Sequence, residues 1–135
     1  MTYALAQALQ AAVYQHLLAD TGLAALVGTA VYDALPAGSL PQTYVALGPE
    51  EARAQGDRSA GGAEHRFTVT VVTGTAGFSA AKTVAGAVCD ALEDAPLALA
   101  RGHLTGLWFD RARAEALKDG GRSITLRFRA RVDDA

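Results

Sequence analysis

The stretch Leu17–Gly48 reads LLADTGLAALVGTAVYDALPAGSLPQTYVALG, and its order of elements decides the fold. An alanine-rich helix ends here, because Asp20, Thr21 and Gly22 favour caps and turns over a continued helix. Leu23 to Val27 supply about one more helical turn, which Gly28 closes by adopting a conformation that other residues resist. A brief strand is expected near Ala30–Asp33. Pro36, Gly38 and Pro41 then forbid regular structure before a second apolar strand at Thr43–Leu47. The first strand is short enough to belong near a sheet edge. No constellation capable of chemistry lies in this stretch, which points to a part that works by shape and by contact with neighbours.

Upstream, Leu5, Leu9, Val13 and Leu17 recur every fourth residue with Ala8 and Ala12 beside them, while Gln7, Gln10 and Gln15 lie largely off that stripe. This period predicts a helix from Tyr3 to Ala19 with Thr2 as its N-cap. Downstream, Glu64–Thr73 alternates cleanly, with Phe67, Val69 and Val71 on one face and Arg66, Thr68 and Thr70 on the other. A helix over Ser79–Glu93 follows, burying Phe78, Ala81, Ala85, Val88, Cys89 and Leu92, with Ser79 as a possible N-cap and Pro96 marking where it must be over. His103–Leu117 and Arg122–Val132 read as the two strands of a β-hairpin. Residues 48–62, GPEEARAQGDRSAGG, carry no apolar period and are expected to form a mobile loop. The whole chain, residues 1–135, is thus expected to be a single α+β domain: a mostly antiparallel sheet with two main helices packed on one face.

A domain of 135 residues buries roughly two thirds of the surface its unfolded chain exposes, so it needs no staples. Half the residues are hydrophobic and the formal net charge is −2, a balance that selects no class of partner. One cysteine, Cys89, excludes an internal disulfide framework. Every long apolar run is broken by a polar residue, and the N-terminus lacks the pattern of a signal peptide, so no membrane association is expected.

The hairpin's register follows from packing, because a one-residue slip would exchange the two faces. With Asp119, Gly120 and Gly121 as the loop, Ala116, Ala114 and Ala112 oppose Ile124, Leu126 and Phe128, small against large. The other face then carries Arg111, Arg113, Arg127, Arg129 and Arg131, with Glu115 as the one acid assigned to it. Like charges opposite one another are destabilising. Three accounts could offset them: solvation with the aliphatic stems lying over the sheet, acidic residues of an adjacent subunit (Glu50, Glu51 or Asp57, or Glu93 and Asp94), or the phosphates of a nucleic acid.

Residues suited to catalysis are dispersed. His16, His65 and His103 lie far apart and show no metal-ligand spacing. The neighbouring acids Glu50-Glu51, Glu93-Asp94 and Asp133-Asp134 read as solvated ends, not opposed pairs across a cleft. Ser39, Ser59, Ser79 and Ser123 lack a nucleophile elbow, and Gly56, Gly61 and Gly62 lead into no phosphate-binding Lys-Ser or Lys-Thr. Cys89 sits on an apolar helix stripe, where an inert thiol is expected. The expectation is no enzyme, no cofactor and no metal.

Leu17, Leu18, Ala19 and Asp20, then Leu23 to Gly28, Val31-Tyr32-Asp33, and Pro41 leading into Tyr44–Gly48 closely resemble the start of the tail-completion family of tailed phages and gene transfer agents. The likeness continues to the C-terminus in element order. It implies a tail terminator: subunits forming a ring, by implication a hexamer, that caps the tail tube, ends its polymerisation and joins tail to head. The implied partners are further copies of the chain, the tail tube protein, a head–tail connector or stopper protein, and DNA passing through the channel without sequence-specific binding. The implied location is the cytoplasm during assembly and then a virion or gene transfer agent particle. Candidate interface or channel residues are Arg111, Arg113, Arg127, Arg129 and Arg131, with Glu50, Glu51, Arg53, Asp57 and Arg58 as a candidate interface loop. The alternatives are another neck protein, adaptor or stopper, or a small nucleic-acid-binding module.

Overall fold

The computed structural model describes residues 3–55 and 62–134. The elements run α1 (Ala6–Ala19), α2 (Thr21–Val27), β1 (Val31–Tyr32), β2 (Thr43–Gln55), β3 (Gly62–Thr73), α3 (Ser79–Leu92), β4 (His103–Ala116) and β5 (Arg122–Asp133). The strands form one sheet of order β1-β2-β3-β5-β4. Among the described residues only the β1–β2 pairing is parallel. Because β5 pairs antiparallel with both β3 and β4, those two strands run the same way, and α3 is the crossover between them.

The helices occupy one side of the sheet. Leu5, Leu9, Val13 and Leu17 of the α1 region are each 2% exposed or less, as their spacing predicts. They meet Ala81, Val84, Val88 and Leu92 on α3 and a sheet face built from Val45, Phe67, Val69, Val71, Leu126, Phe128 and Ala130. Phe128 is fully buried, with the Phe67 ring stacked on it at 5.7 Å and the Phe109 ring edge-on at 6.0 Å. This is the α+β domain with helices on one face that the apolar periods require.

Boundaries differ from the sequence reading where side chains compete for the backbone. Asp20 ends α1 and also caps α2, its carboxylate accepting from the Leu23 N–H at 2.8 Å, so α2 begins at Thr21. α1 starts at Ala6, and the Thr2 cap expected from sequence lies outside the described residues. Phe78, not Ser79, occupies the N-cap position of α3, and the Ser79 carbonyl instead accepts a bond from Thr83 Oγ1. The largest correction concerns residues 48–62. A bulge at Gly48-Pro49 resets the pairing between Leu47↔Val69 and Glu50↔Phe67, and β2 then continues to Gln55. The bulge absorbs Pro49, whose carbonyl accepts from Thr68 Oγ1, and it needs Gly48, since a Cβ there would lie 2.4 Å from that same oxygen. Once the bulge is counted, Glu50, Ala52 and Ala54 alternate regularly with Glu51 and Arg53. The rest of the stretch expected to be a mobile loop, residues 56–61, lies outside the described residues.

The hairpin register also shifts. Ala112, Ala114 and Ala116 pair with Leu126, Ile124 and Arg122, two positions from the expected alignment, and Leu117–Gly121 form the loop, closed by Leu117 N–H to Gly121 O. The faces are unchanged because a shift of two preserves strand parity. Gly121 explains the longer loop: its backbone passes so close to Thr73 O that a Cβ would lie 2.5 Å away.

Candidate functional site

The sheet's second face carries no helix among the described residues. Arg66 on β3 lies opposite Arg129 on β5, which lies opposite Trp108 on β4; one step along, Thr68, Arg127 and Arg111 form the next row. Arg113 pairs with Thr125, and Glu51 and Arg53 flank the row from β2. The structure therefore brings the predicted arginines together on one face. It also supplies two acids besides the expected Glu115, namely Asp110 and Glu64. Asp110 Oδ2 accepts from Arg127 Nε at 2.6 Å, Glu64 Oε1 from Arg66 Nε at 2.7 Å, and Glu115 lies 3.2 Å from Arg113. Arg129 has its guanidinium 6.0 Å from the centre of the Trp108 ring. The like-charge problem posed by the sequence is thus largely met within the chain, and Glu115 is not the only acid on this face.

Asp110 reaches Arg127 because β4 is irregular between Phe109 and Arg111, so strict alternation does not assign it. The signal was in the sequence: Trp108, Phe109, Asp110 and Arg111 break the alternation of β4. The hydrogen bond from Arg127 holds the Asp110 carboxyl below its ordinary pKa against the opposing effect of burial, with the charges of Arg127, Arg129 and Arg66 adding to it. The hydrogen bond to Glu64, with that carboxylate's charge, raises Arg66 further still.

The second predicted group is divided. Glu50 faces the helices, where it accepts a hydrogen bond from the Tyr3 hydroxyl and lies 3.4 Å from Nδ1 of the fully buried His65. Tyr3 and His65 stack with ring centres 6.0 Å apart. Glu51 and Arg53 are exposed on β2, and Asp57 and Arg58 lie outside the described residues. Glu93 and Asp94, considered above as partners for another subunit, meet their own β4: Glu93 accepts from Phe109 N–H at 2.8 Å, and Asp94 N–H donates to Leu107 O.

The remaining reactive groups do not converge. His16 Nε2 lies 2.8 Å from Ala91 O, His65 is buried under Tyr3, and His103 is exposed at the start of β4. Among the described residues no group of three His, Cys, Asp or Glu could hold a metal ion. Burial, with Asp90 and Glu93 nearby, raises the Cys89 thiol and so disfavours the thiolate. A shallow groove lies between α1 and the β1–β2 edge, where Tyr3, Gln7, Gln10, Tyr14, Asp33 and Glu50 meet. No helix among the described residues is long and apolar enough to cross a membrane.

The chain belongs to the family of tail completion protein gp17, whose model matches residues 11–133, and is a phage-tail structural protein. It is also similar to a chain of the solved structure "Virion of native gene transfer agent (GTA) particle". The two share 57% sequence identity and a TM-score of 0.93, over 98% of this chain and 99% of that one. No curated protein matches the chain.

Proposed function

We propose that this protein is a tail terminator: its subunits close into a hexameric ring that caps the finished tail tube, ends tube polymerisation and joins the tail to the head connector or stopper. The observation that carries the reading is the 57% identity, over nearly the full length of both chains, to a chain of a gene transfer agent virion. The domain's form suits the role. One face is closed by helices and holds the core, leaving the other sheet face and both sheet edges for contacts. A ring needs a head-to-tail interface in which one patch complements a different patch on the next subunit. Arg111 and Arg113 at the exposed end of β4, and Glu51 and Arg53 on β2, lie at opposite margins of the sheet and are the candidates for those patches. Further partners are the last ring of the tail tube protein, the connector or stopper, and DNA threading the channel without sequence-specific contacts.

The test is the tail-length distribution, by electron microscopy, of particles made when the gene is deleted and then restored. Overlong, heterogeneous tails without heads, corrected by the restored gene, are the expected result. Tails of normal length in the deletion would reject termination and return an adaptor or stopper role to the front.

A further inference from the structure

The sheet has two edges, and each leaves part of its backbone open. On one side β1 covers only Val45 and Ala46 of β2. From Glu50 to Gln55 no other strand among the described residues pairs with the outer edge of β2, which runs beside the groove that Asp33 and Glu50 line. On the other side, β4 is covered at Leu107 and Phe109 by Asp94 and Glu93. Beyond the irregularity at Asp110, all six residues Arg111–Ala116 are exposed, and among the described residues no backbone bond leaves their outer edge. Folded chains usually blunt such edges, because a row of unpaired N–H and C=O groups is a template for another strand. Here the blunting stops where the exposed arm begins.

The two open edges match in direction and in side chains. β2 and β4 run in opposite directions within the sheet. Copies related by rotation about a ring axis therefore bring β4 of one antiparallel to β2 of the next, the commoner pairing of strands. On the helix side, β4 presents Ala112, Ala114 and Ala116 while β2 presents Ala52 and Ala54; on the other side β4 presents Arg111, Arg113 and Glu115 while β2 presents Glu51 and Arg53. An antiparallel register with Ala114 opposite Ala54 also sets Ala116 opposite Ala52 and Glu115 opposite Arg53. Small residues then meet small ones, and an acid meets a base. The open segments lie at opposite ends of their edges, so the pairing staggers each sheet against the next, as closing a sheet into a barrel requires.

We infer that Arg113–Ala116 of each subunit adds as an antiparallel strand to Ala52–Gln55 of the next copy, making one sheet continuous around the ring. This deepens the terminator reading and rests on it, since the ring is what selects a head-to-tail contact. Pairing β4 with its own copy in a dimer would leave both β2 edges open, whereas the head-to-tail contact covers both edges at once.

The test uses particles carrying Ala54→Cys and Ala114→Cys together in a Cys89→Ser chain, oxidised mildly after purification, with tail length scored on the same sample. A ladder of disulfide-linked oligomers of this chain, lost on reduction and absent from either single variant, is the expected result. Normal tails that contain the double variant but yield no ladder would overturn the edge pairing while leaving termination intact; so would dimers formed by a single variant. If the cysteine chain is not incorporated, Arg53→Glu, Glu115→Arg and their combination decide instead. Each single change is expected to lower incorporation at least several-fold and the double to recover most of it. No recovery in the double, with the isolated chain still folded by circular dichroism, would reject the contact. Failure of termination itself is read separately, from tails of normal length in the deletion.

Discussion

Asp110 and Arg127 form a 2.6 Å ion pair across β4 and β5, with their side chains 23% and 26% exposed. The pair sits between Arg111, Arg129 and Arg66, so it lowers the repulsion of the whole face as well as satisfying Arg127. Asp110→Asn is expected to cost about 1 kcal/mol or less, because a pair this exposed is screened by solvent. The pH dependence has a definite sign. The carboxyl is held below its ordinary value in the folded chain. Its contribution is therefore present above the unfolded value of about 3.9 and lost as pH falls through the folded value. Urea titrations should show a constant gap between wild type and Asp110→Asn from pH 7 to about 5, closing at lower pH. A gap that widens on acidification would contradict the assignment.

Phe128 and Phe109 touch, yet one is 0% and the other 42% exposed, which separates burial from ring contact. Phe128→Ala opens a cavity beneath Phe67 and should cost about 3–5 kcal/mol. Phe109→Ala removes an edge-on partner and a ring only partly covered, and leaves no enclosed cavity, at about 1–2 kcal/mol. Equal losses in the two urea midpoints would show that β4 shields the core at Phe109 and not only at Leu107.

Much of this fold was legible because α1, α3, β3 and β5 each write one unbroken period: the stripe Leu5, Leu9, Val13, Leu17, or the alternation from Ala63 to Val71. What misled the reading was broken alternation. Gly48-Pro49 looked like the start of a loop because a bulge shifts the period by an extra residue, which hid the second half of β2. The irregularity at Asp110 hid an acid in the same way. Arg127 and Arg129 were placed correctly by parity alone, but their partners depend on side-chain reach across strands, which no period encodes. The edge of β4 was similarly invisible, because nothing in the sequence says that Glu93 would cap Phe109 and leave Arg111–Ala116 bare.

Gly86 lies in the middle of α3 on its exposed side, and a Cβ built there meets nothing within 4 Å. Glycine in a helix interior forfeits backbone entropy without return. Gly86→Ala is therefore expected to stabilise the chain by roughly 0.5–1 kcal/mol. Thermal unfolding of the isolated chain checks this. A neutral or lower midpoint would mean that this face of α3 is tighter than the structure shows.

Gly106 tests the opposite case. The Trp108 ring packs against it, and a Cβ at 106 would come 2.2 Å from two ring carbons. The strand therefore uses a glycine as the floor on which the ring rests, and the ring in turn sits under the Arg129 guanidinium. Gly106→Ala must lift the indole, at a cost of about 1–3 kcal/mol for overpacking, and separate it from Arg129. Trp108 is the chain's single tryptophan, so its fluorescence reports the displacement directly. The expected result is a red-shifted emission with faster iodide quenching in Gly106→Ala, while Gly86→Ala, whose site has no neighbour within 4 Å of an added Cβ, leaves the spectrum unchanged. An unshifted spectrum in Gly106→Ala would mean that the indole already stands away from the strand, and the arginine face would lose the aromatic member of its central row.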